Sequence, residues 1–130
     1  MSTQTEKTAI EKFLTAYTEA LNSANTALIP SFYTEDGLFM PNGFKALTTG
    51  DLLNGSKSFF KKANFHIGYA VPDTVVDGDY AFVQTTAQTT TTDTEKSQEI
   101  RQTSRDFFVF RKEKEDWKIY RYIFNKMTVN

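Results

Sequence analysis

The sequence predicts an α+β fold in which helices from the first half of the chain lie on one curved antiparallel β-sheet built by the second half. Three observations predict it. Ile10, Phe13, Leu14, Tyr17 and Leu21 recur at helical spacing. Beyond Phe65 the apolar pattern changes from helical to alternating, the period of a strand with one buried face. Near the C-terminus, Arg105–Arg111 and Trp117–Phe124 form two aromatic-rich runs around the charged turn Lys112–Asp116, the pattern of a β-hairpin. A curved sheet wrapped around helices tends to leave a cavity between the layers, and a binding site is expected there.

The elements follow in order. About Glu6 to Ser23 should form an amphipathic helix that Asn22–Ser23 ends. Asn25 is placed to cap a second, shorter helix containing Leu28 and Phe32, which Pro30 shortens or distorts by removing a backbone donor. Thr34–Glu35–Asp36–Gly37 has turn composition, and Leu38–Phe39–Met40 before Pro41 forms a short strand. A third helix ends near Asn64. It starts either at Asp51, with Gly55 inside it at a cost of about 1 kcal/mol, or at Ser56 with Gly55 in the preceding turn; the longer helix is the expectation. Phe65 to Val76 is a strand broken at Pro72, and Asp77–Gly78 marks a hairpin turn. Tyr80 to about Thr91 is a β-branched strand, Asp93 to Gln98 a polar loop, and Ile100–Arg111 with Trp117–Lys126 completes the sheet.

At 130 residues the chain is expected to be a single domain with an ordered core of about residues 6–127. It has no Cys and one His, which excludes disulfides, thiolate sites and Cys nucleophiles and leaves no His-rich metal site. No metal or cofactor is expected. A net charge of −1 argues against a nucleic-acid footprint. No apolar run approaches a membrane span of about 20 residues, and Met1–Thr8 lacks the apolar core of a signal peptide, so a cytoplasmic location is the default. The 12 Phe and 6 Tyr suit an aromatic-lined cavity, a filled core or a dimer interface alike.

Four segments taken in order carry a family resemblance: "AYTEALNSAN", "FYTEDGLFMP", "VVDGDYAFVQ" and "DFFVFRKEKEDWKIYRYIFN". Together the chain resembles the nuclear transport factor 2-like fold, and within it the SnoaL-like and ketosteroid isomerase-like branch. The resemblance implies a cone-shaped fold with three N-terminal helices packed in the curved sheet. This fold hosts isomerases, cyclases, dehydratases, binding proteins and association domains, so it does not fix an activity. In the isomerase branch an Asp base moves a proton while a Tyr and a protonated Asp donate hydrogen bonds to the developing oxyanion. The resemblance places Tyr17 at that Tyr and Asp106 at that protonated Asp. At the family's base position this chain has Met40, whose thioether cannot accept a carbon acid's proton, and that departure argues against steroid-type isomerisation.

Weighed as residues, Tyr17 is inward on its helix, either a core phenol with a buried partner or a pocket group. Asp106 enters a strand on the face of Phe108 and Phe110; if buried it is kept neutral or it pairs with an Arg such as Arg121. His66 is a general base or a structural hydrogen bonder. Glu35–Asp36 belongs to a turn and is read as structural. Gln84, Gln102 and Ser104 share the alternation parity of one sheet face and either bond a ligand or coat a wet surface. Phe39, Met40, Phe59, Tyr69 and Tyr122 would line a pliable apolar wall, though core packing predicts the same positions. Phe107 and Val109, of opposite parity, place apolar groups on the outer face where a second subunit would make a homodimer. The expected function is a pocket for a small apolar organic ligand, as an isomerase, cyclase or lyase on a carbonyl compound. The alternative is a non-catalytic binding or association module.

Overall fold

A computed structural model describes residues 3–23, 27–52, 65–70, 73–93 and 98–127. The chain begins with α1 (Thr3–Asn22), whose apolar stripe of Ile10, Leu14, Tyr17 and Leu21 is buried as its spacing predicts. A 3₁₀ turn, Ile29–Phe32, follows and carries Pro30 at its start. It is shorter than the helix expected there, and the predicted cap Asn25 lies outside the described residues. Then come β1 (Tyr33–Met40) and β2 (Leu47–Thr48). Residues 49–52 are helical, and a capping box opens them. In it Asp51 N–H donates to Thr48 Oγ1 at 3.1 Å while Thr48 N–H donates to Asp51 Oδ2 at 3.0 Å. The third helix therefore starts before Asp51, and its predicted end near Asn64 falls outside the described residues. The remaining strands are β3 (His66–Tyr69), β4 (Asp73–Asp77), β5 (Tyr80–Asp93), β6 (Gln98–Glu113) and β7 (Asp116–Met127).

The strands form one sheet in the order β2-β1-β7-β6-β5-β3, with β4 also paired to β5. Both β3 and β4 run along the same edge of β5, β3 on residues 87–90 and β4 on residues 80–84, so the break expected near Pro72 separates them. The sheet is mixed rather than wholly antiparallel, because β1 lies parallel to β7. The antiparallel expectation followed from the hairpins, and a pairing between distant strands leaves no hairpin signal in the sequence. The register of β1 on β7 shifts between Tyr33 and Leu38, and that of β6 on β7 between Val109 and Phe110. Such bulges bend strands and curve a sheet toward one face.

The Thr34–Gly37 segment expected as a turn lies inside β1, at its register shift. A Cβ on Gly37 would stand 3.0 Å from Thr34 O and 3.1 Å from Ile119 O, so a side chain there would force the neighbouring backbone to give by a few tenths of an ångström. At the two predicted hairpins the turns are tight. Asp77 pairs with Tyr80 around Gly78 at φ 61, and Glu113 pairs with Asp116 around Lys114 at φ 59.

α1 packs across the concave face, and the core gathers there around Phe108, Phe110, Ile119, Val83 and Ala87. Its two ends are tied down. Asn22 bonds both ways with the backbone of Ile67, at 2.9 and 2.7 Å, occupying part of the open edge of β3. Glu6 pairs with Lys112 of β6 at 2.8 Å, and the ammonium lies over the Trp117 ring. Among the described residues no helix is long and apolar enough to cross a membrane.

Candidate functional site

Strand alternation decides which side chains meet. On β6 the even positions from Ser104 to Phe110 point to the concave face; on β5 the odd positions do, because Thr85 pairs with Asp106 and Ala87 with Ser104. On β7, Tyr122 stands opposite Phe108, and on β1 Phe39 stands beside Tyr122. From β3, Tyr69 enters opposite Ala87. α1 lowers Tyr17 onto these strands, and Tyr33 comes from the first position of β1.

Four phenols and one carboxyl therefore converge beneath the helix. Asp106 is 2 % exposed. Ser104 donates to its Oδ1 at 2.6 Å and Tyr122 donates to its Oδ2. The Tyr122 hydroxyl also meets that of Tyr69 at 2.8 Å, and Tyr17 meets Tyr33 at 2.8 Å. Phe108 floors the cluster, stacked 4.0 Å from Tyr122 and edge-on to Tyr69 and Tyr17 at 5.6 and 6.4 Å. Phe39 closes one side, 5.2 Å from the Tyr122 ring.

Burial sets the electrostatics. It pushes the Asp106 carboxyl above its ordinary range, and the bonds from Ser104 and Tyr122 only partly offset that. Burial likewise pushes Tyr17, Tyr33, Tyr69 and Tyr122 well above an ordinary phenol. Among the described residues no Arg or Lys reaches Asp106. Arg121, the partner considered from sequence, stands on the opposite face, paired with Val109 and bonded to Asp36 O at 3.1 Å and to Tyr120 O at 2.8 Å. When the carboxyl holds a proton, it and the phenols form a set of hydrogen-bond donors. It can hold or polarise an oxygen that gains negative charge.

Several predicted site residues do not join this cluster. Gln84 pairs with Phe107 and is exposed on the outer face; equal parity on two antiparallel strands does not mean one face, because the register here pairs odd with even. Met40 pairs with Ile123, whose side chain is 46 % exposed, and stands on the outer face, so it is no pocket wall. His66 is exposed on the edge strand, opposite Thr90. Gln102 shares the face of Ser104 but is exposed, beyond the cluster. Phe59 lies outside the described residues. Sequence reasoning missed Tyr33, because it fell between the predicted second helix and the predicted Thr34–Gly37 turn. The sequence signal was its place next to Phe32, one residue after a predicted helix face.

A surface cleft of about 450 Å³ runs between α1 and β3, lined by Leu14, Thr18 and Tyr69 among others. Tyr69 thus borders the cleft while its hydroxyl reaches the buried cluster. Among the described residues no group of three or more His, Asp or Glu side chains is placed to hold a metal ion.

Residues 10–125 match the family model of the SnoaL-like domain. The chain belongs to the SnoaL-like family. Among solved structures it is similar to a ketosteroid isomerase-like protein from Erwinia carotovora atroseptica, at 27% identity and TM-score 0.83, over 95% of this chain and 98% of that one. It is also similar to a candidate dehydratase of the NTF2-like family from Streptomyces avermitilis, at 16% identity and TM-score 0.84, over 98% and 100%. A candidate calcium/calmodulin dependent protein kinase II association domain from Xanthomonas campestris aligns at 18% identity and TM-score 0.79, over 93% and 87%. No curated protein matches the sequence.

Proposed function

We propose that this SnoaL-like chain binds a small, mainly apolar organic molecule by one of its oxygens, with the Asp106–phenol cluster as the polar anchor. The observation that carries this reading is a carboxyl that is 2 % exposed, lacks a cationic partner among the described residues and is surrounded by hydroxyl donors. The resemblance that sets Tyr17 and Asp106 at the positions of the isomerase oxyanion donors supports this reading, as does a ketosteroid isomerase-like protein among the similar structures. Isomerase, cyclase or lyase chemistry on a carbonyl compound would add a proton acceptor to this anchor. Met40, at the family's base position, cannot accept a proton, and His66, the one alternative acceptor, stands away from the anchor. The anchor therefore supports binding and polarisation more directly than proton abstraction.

The test is calorimetric screening of apolar ketones and phenols against the protein, Tyr17→Phe and Asp106→Asn. A bound compound should lose at least about tenfold in affinity on either change, the scale of one lost hydrogen bond to a charged or polarised group. Unchanged affinity in both variants would remove the anchor.

A second reading concerns the outer face, where Val75, Phe82, Phe107 and Ile123 are 54 %, 36 %, 40 % and 46 % exposed. Cross-strand pairing joins Val75 to Phe82, Phe82 to Val109 and Phe107 to Ile123, so apolar side chains run across this face. A homodimer that covers this face accounts for it, and it is compatible with a ligand inside. Sedimentation should show a dimer that Phe107→Arg converts to monomer; a wild-type monomer at every concentration would dismiss it.

A further inference from the structure

β3 ends the sheet, and among the described residues only one of its edges is paired with another strand. The backbone groups of an antiparallel strand turn to its two edges alternately. Ala70 N–H donates to Thr86 O at 2.9 Å, so Ala70 faces β5, and Gly68 faces it too. Ile67 and Tyr69 therefore turn their N–H and C=O to the free edge. At Ile67 that edge is filled from α1: the Asn22 amide donates to Ile67 O at 2.9 Å and accepts from Ile67 N–H at 2.7 Å. A primary amide that exchanges both bonds with one residue does what a residue of a neighbouring strand would do. Two residues on, the N–H and C=O of Tyr69 have no such partner among the described residues. Open groups on an edge strand are a template for a further strand.

The space beside them is the cleft of about 450 Å³ between α1 and β3. Gly68, Tyr69 and Ala70 form its strand wall, and Gly68, with no side chain, borders it with backbone. The open stretch is short, since Asn22 closes it at Ile67 and Thr74 of β4 is only 8 % exposed. The helix wall sets the charge. It consists of Glu11, Leu14, Thr15, Thr18 and Glu19, and among the described residues no Lys or Arg lines the cleft. Thr15 and Thr18 donate their hydroxyl protons to Glu11 O and Leu14 O of the helix itself, at 3.1 and 2.7 Å, so toward the cleft they can only accept. Two carboxylates and two accepting hydroxyls suit side chains that donate and carry positive charge. Glu11 and Glu19 lie about 12 Å apart along the helix axis, and strand residues two or four apart share a face at about 7 or 13 Å.

We infer that the free edge of β3 takes one added strand, an extended segment of another protein with Arg or Lys at alternate positions. The residue opposite Tyr69 exchanges main-chain bonds with it and turns its side chain, like that of Tyr69, toward α1. Basic side chains there and two residues away meet Glu11 and Glu19. A second copy of this chain is a poor occupant, because it would bring the same carboxylates and its own Asn22 to the same edge. The added strand uses the main chain of Tyr69 and not its hydroxyl, and so stands apart from the oxygen-binding reading.

The probe is the peptide acetyl-Thr-Arg-Thr-Arg-Thr-amide, titrated into the nitrogen-15-labelled full chain. On binding, the Tyr69 amide signal should move downfield and exchange with solvent more slowly. Methylating both arginine main-chain nitrogens keeps the charges and removes the donors, and should weaken binding about fivefold, the scale of one hydrogen bond. Glu11→Lys combined with Glu19→Lys, both exposed on α1, should weaken it about tenfold. Undiminished affinity for the methylated peptide would mean that the cleft holds arginine side chains alone, and would overturn the added strand. Binding that leaves the Tyr69 amide unmoved, or no binding up to millimolar peptide, would overturn the site. A Tyr69 amide protected without peptide, increasingly so at higher protein concentration, would overturn the basic partner in favour of a second copy.

Discussion

Asp106 and Asp36 sit on opposite faces of one sheet and are driven in opposite directions. Asp36, on the outer face, receives Arg111 through both carboxylate oxygens, at 2.7 and 3.3 Å, and Thr34 Oγ1 at 2.9 Å. Arg111 also bonds Glu113 and lies over the Tyr120 ring. These partners hold the Asp36 carboxyl down to about 2. Asp106 has hydroxyls where Asp36 has a guanidinium, and burial pushes it up. The difference teaches where function is to be sought. A carboxylate paired with Arg has settled its charge. One buried among hydroxyls holds a proton more tightly than a free carboxyl does.

Three experiments sharpen the contrast. The largest effect is expected at the backbone beside Asp36. Gly37→Ala forces a methyl against Thr34 O and Ile119 O and should cost about 1–3 kcal/mol in urea unfolding, as overpacking does. Little change would mean that β1 can slide away from β7. Next comes the pH dependence of Asp106. Its folded value lies above the unfolded 3.8, so the native state holds the proton more tightly, and stability falls as pH rises from 3.8 through the folded value. Asp106→Asn should flatten that slope, while a slope that persists in the variant would assign it elsewhere. Asp36 has the opposite sign. Its contribution is present above 3.8 and is lost as pH falls toward about 2. Because the side chain is 59% exposed, solvent screens the pair and Asp36→Asn should scarcely move the melting temperature at neutral pH.

What the sequence made legible follows the range of the interactions. α1, both tight hairpins and the inward stripe of β6 were readable, because helical spacing, turn composition and alternation are local signals. Asp106 stood out for the same reason, as an acid in line with Phe108 and Phe110. The faces of Gln84 and Met40 were misjudged because each depends on register against a distant strand. Parity within one strand says nothing of its neighbour until the pairing is known. The second helix contracted to a 3₁₀ turn around Pro30, and the Thr34–Gly37 "turn" became a strand because Gly37 lets β1 press against β7. Of the cluster, Tyr17, Ser104, Tyr69, Asp106 and Tyr122 were named in advance, whereas Tyr33 was not, since parallel pairing brought it in.

That parallel pairing also bears on how the chain is made. β1 finds its main neighbour in β7, far along the chain, and β2 offers it only two residues in the meantime. Until β7 emerges, Tyr33 and Phe39 lack the strand they pair with. Synthesis runs from the N-terminus and contacts distant in sequence form slowly. The nascent chain should thus leave β1 unpaired on its main edge until β7 has been made, and the β6–β7 hairpin should act as the clasp that closes it.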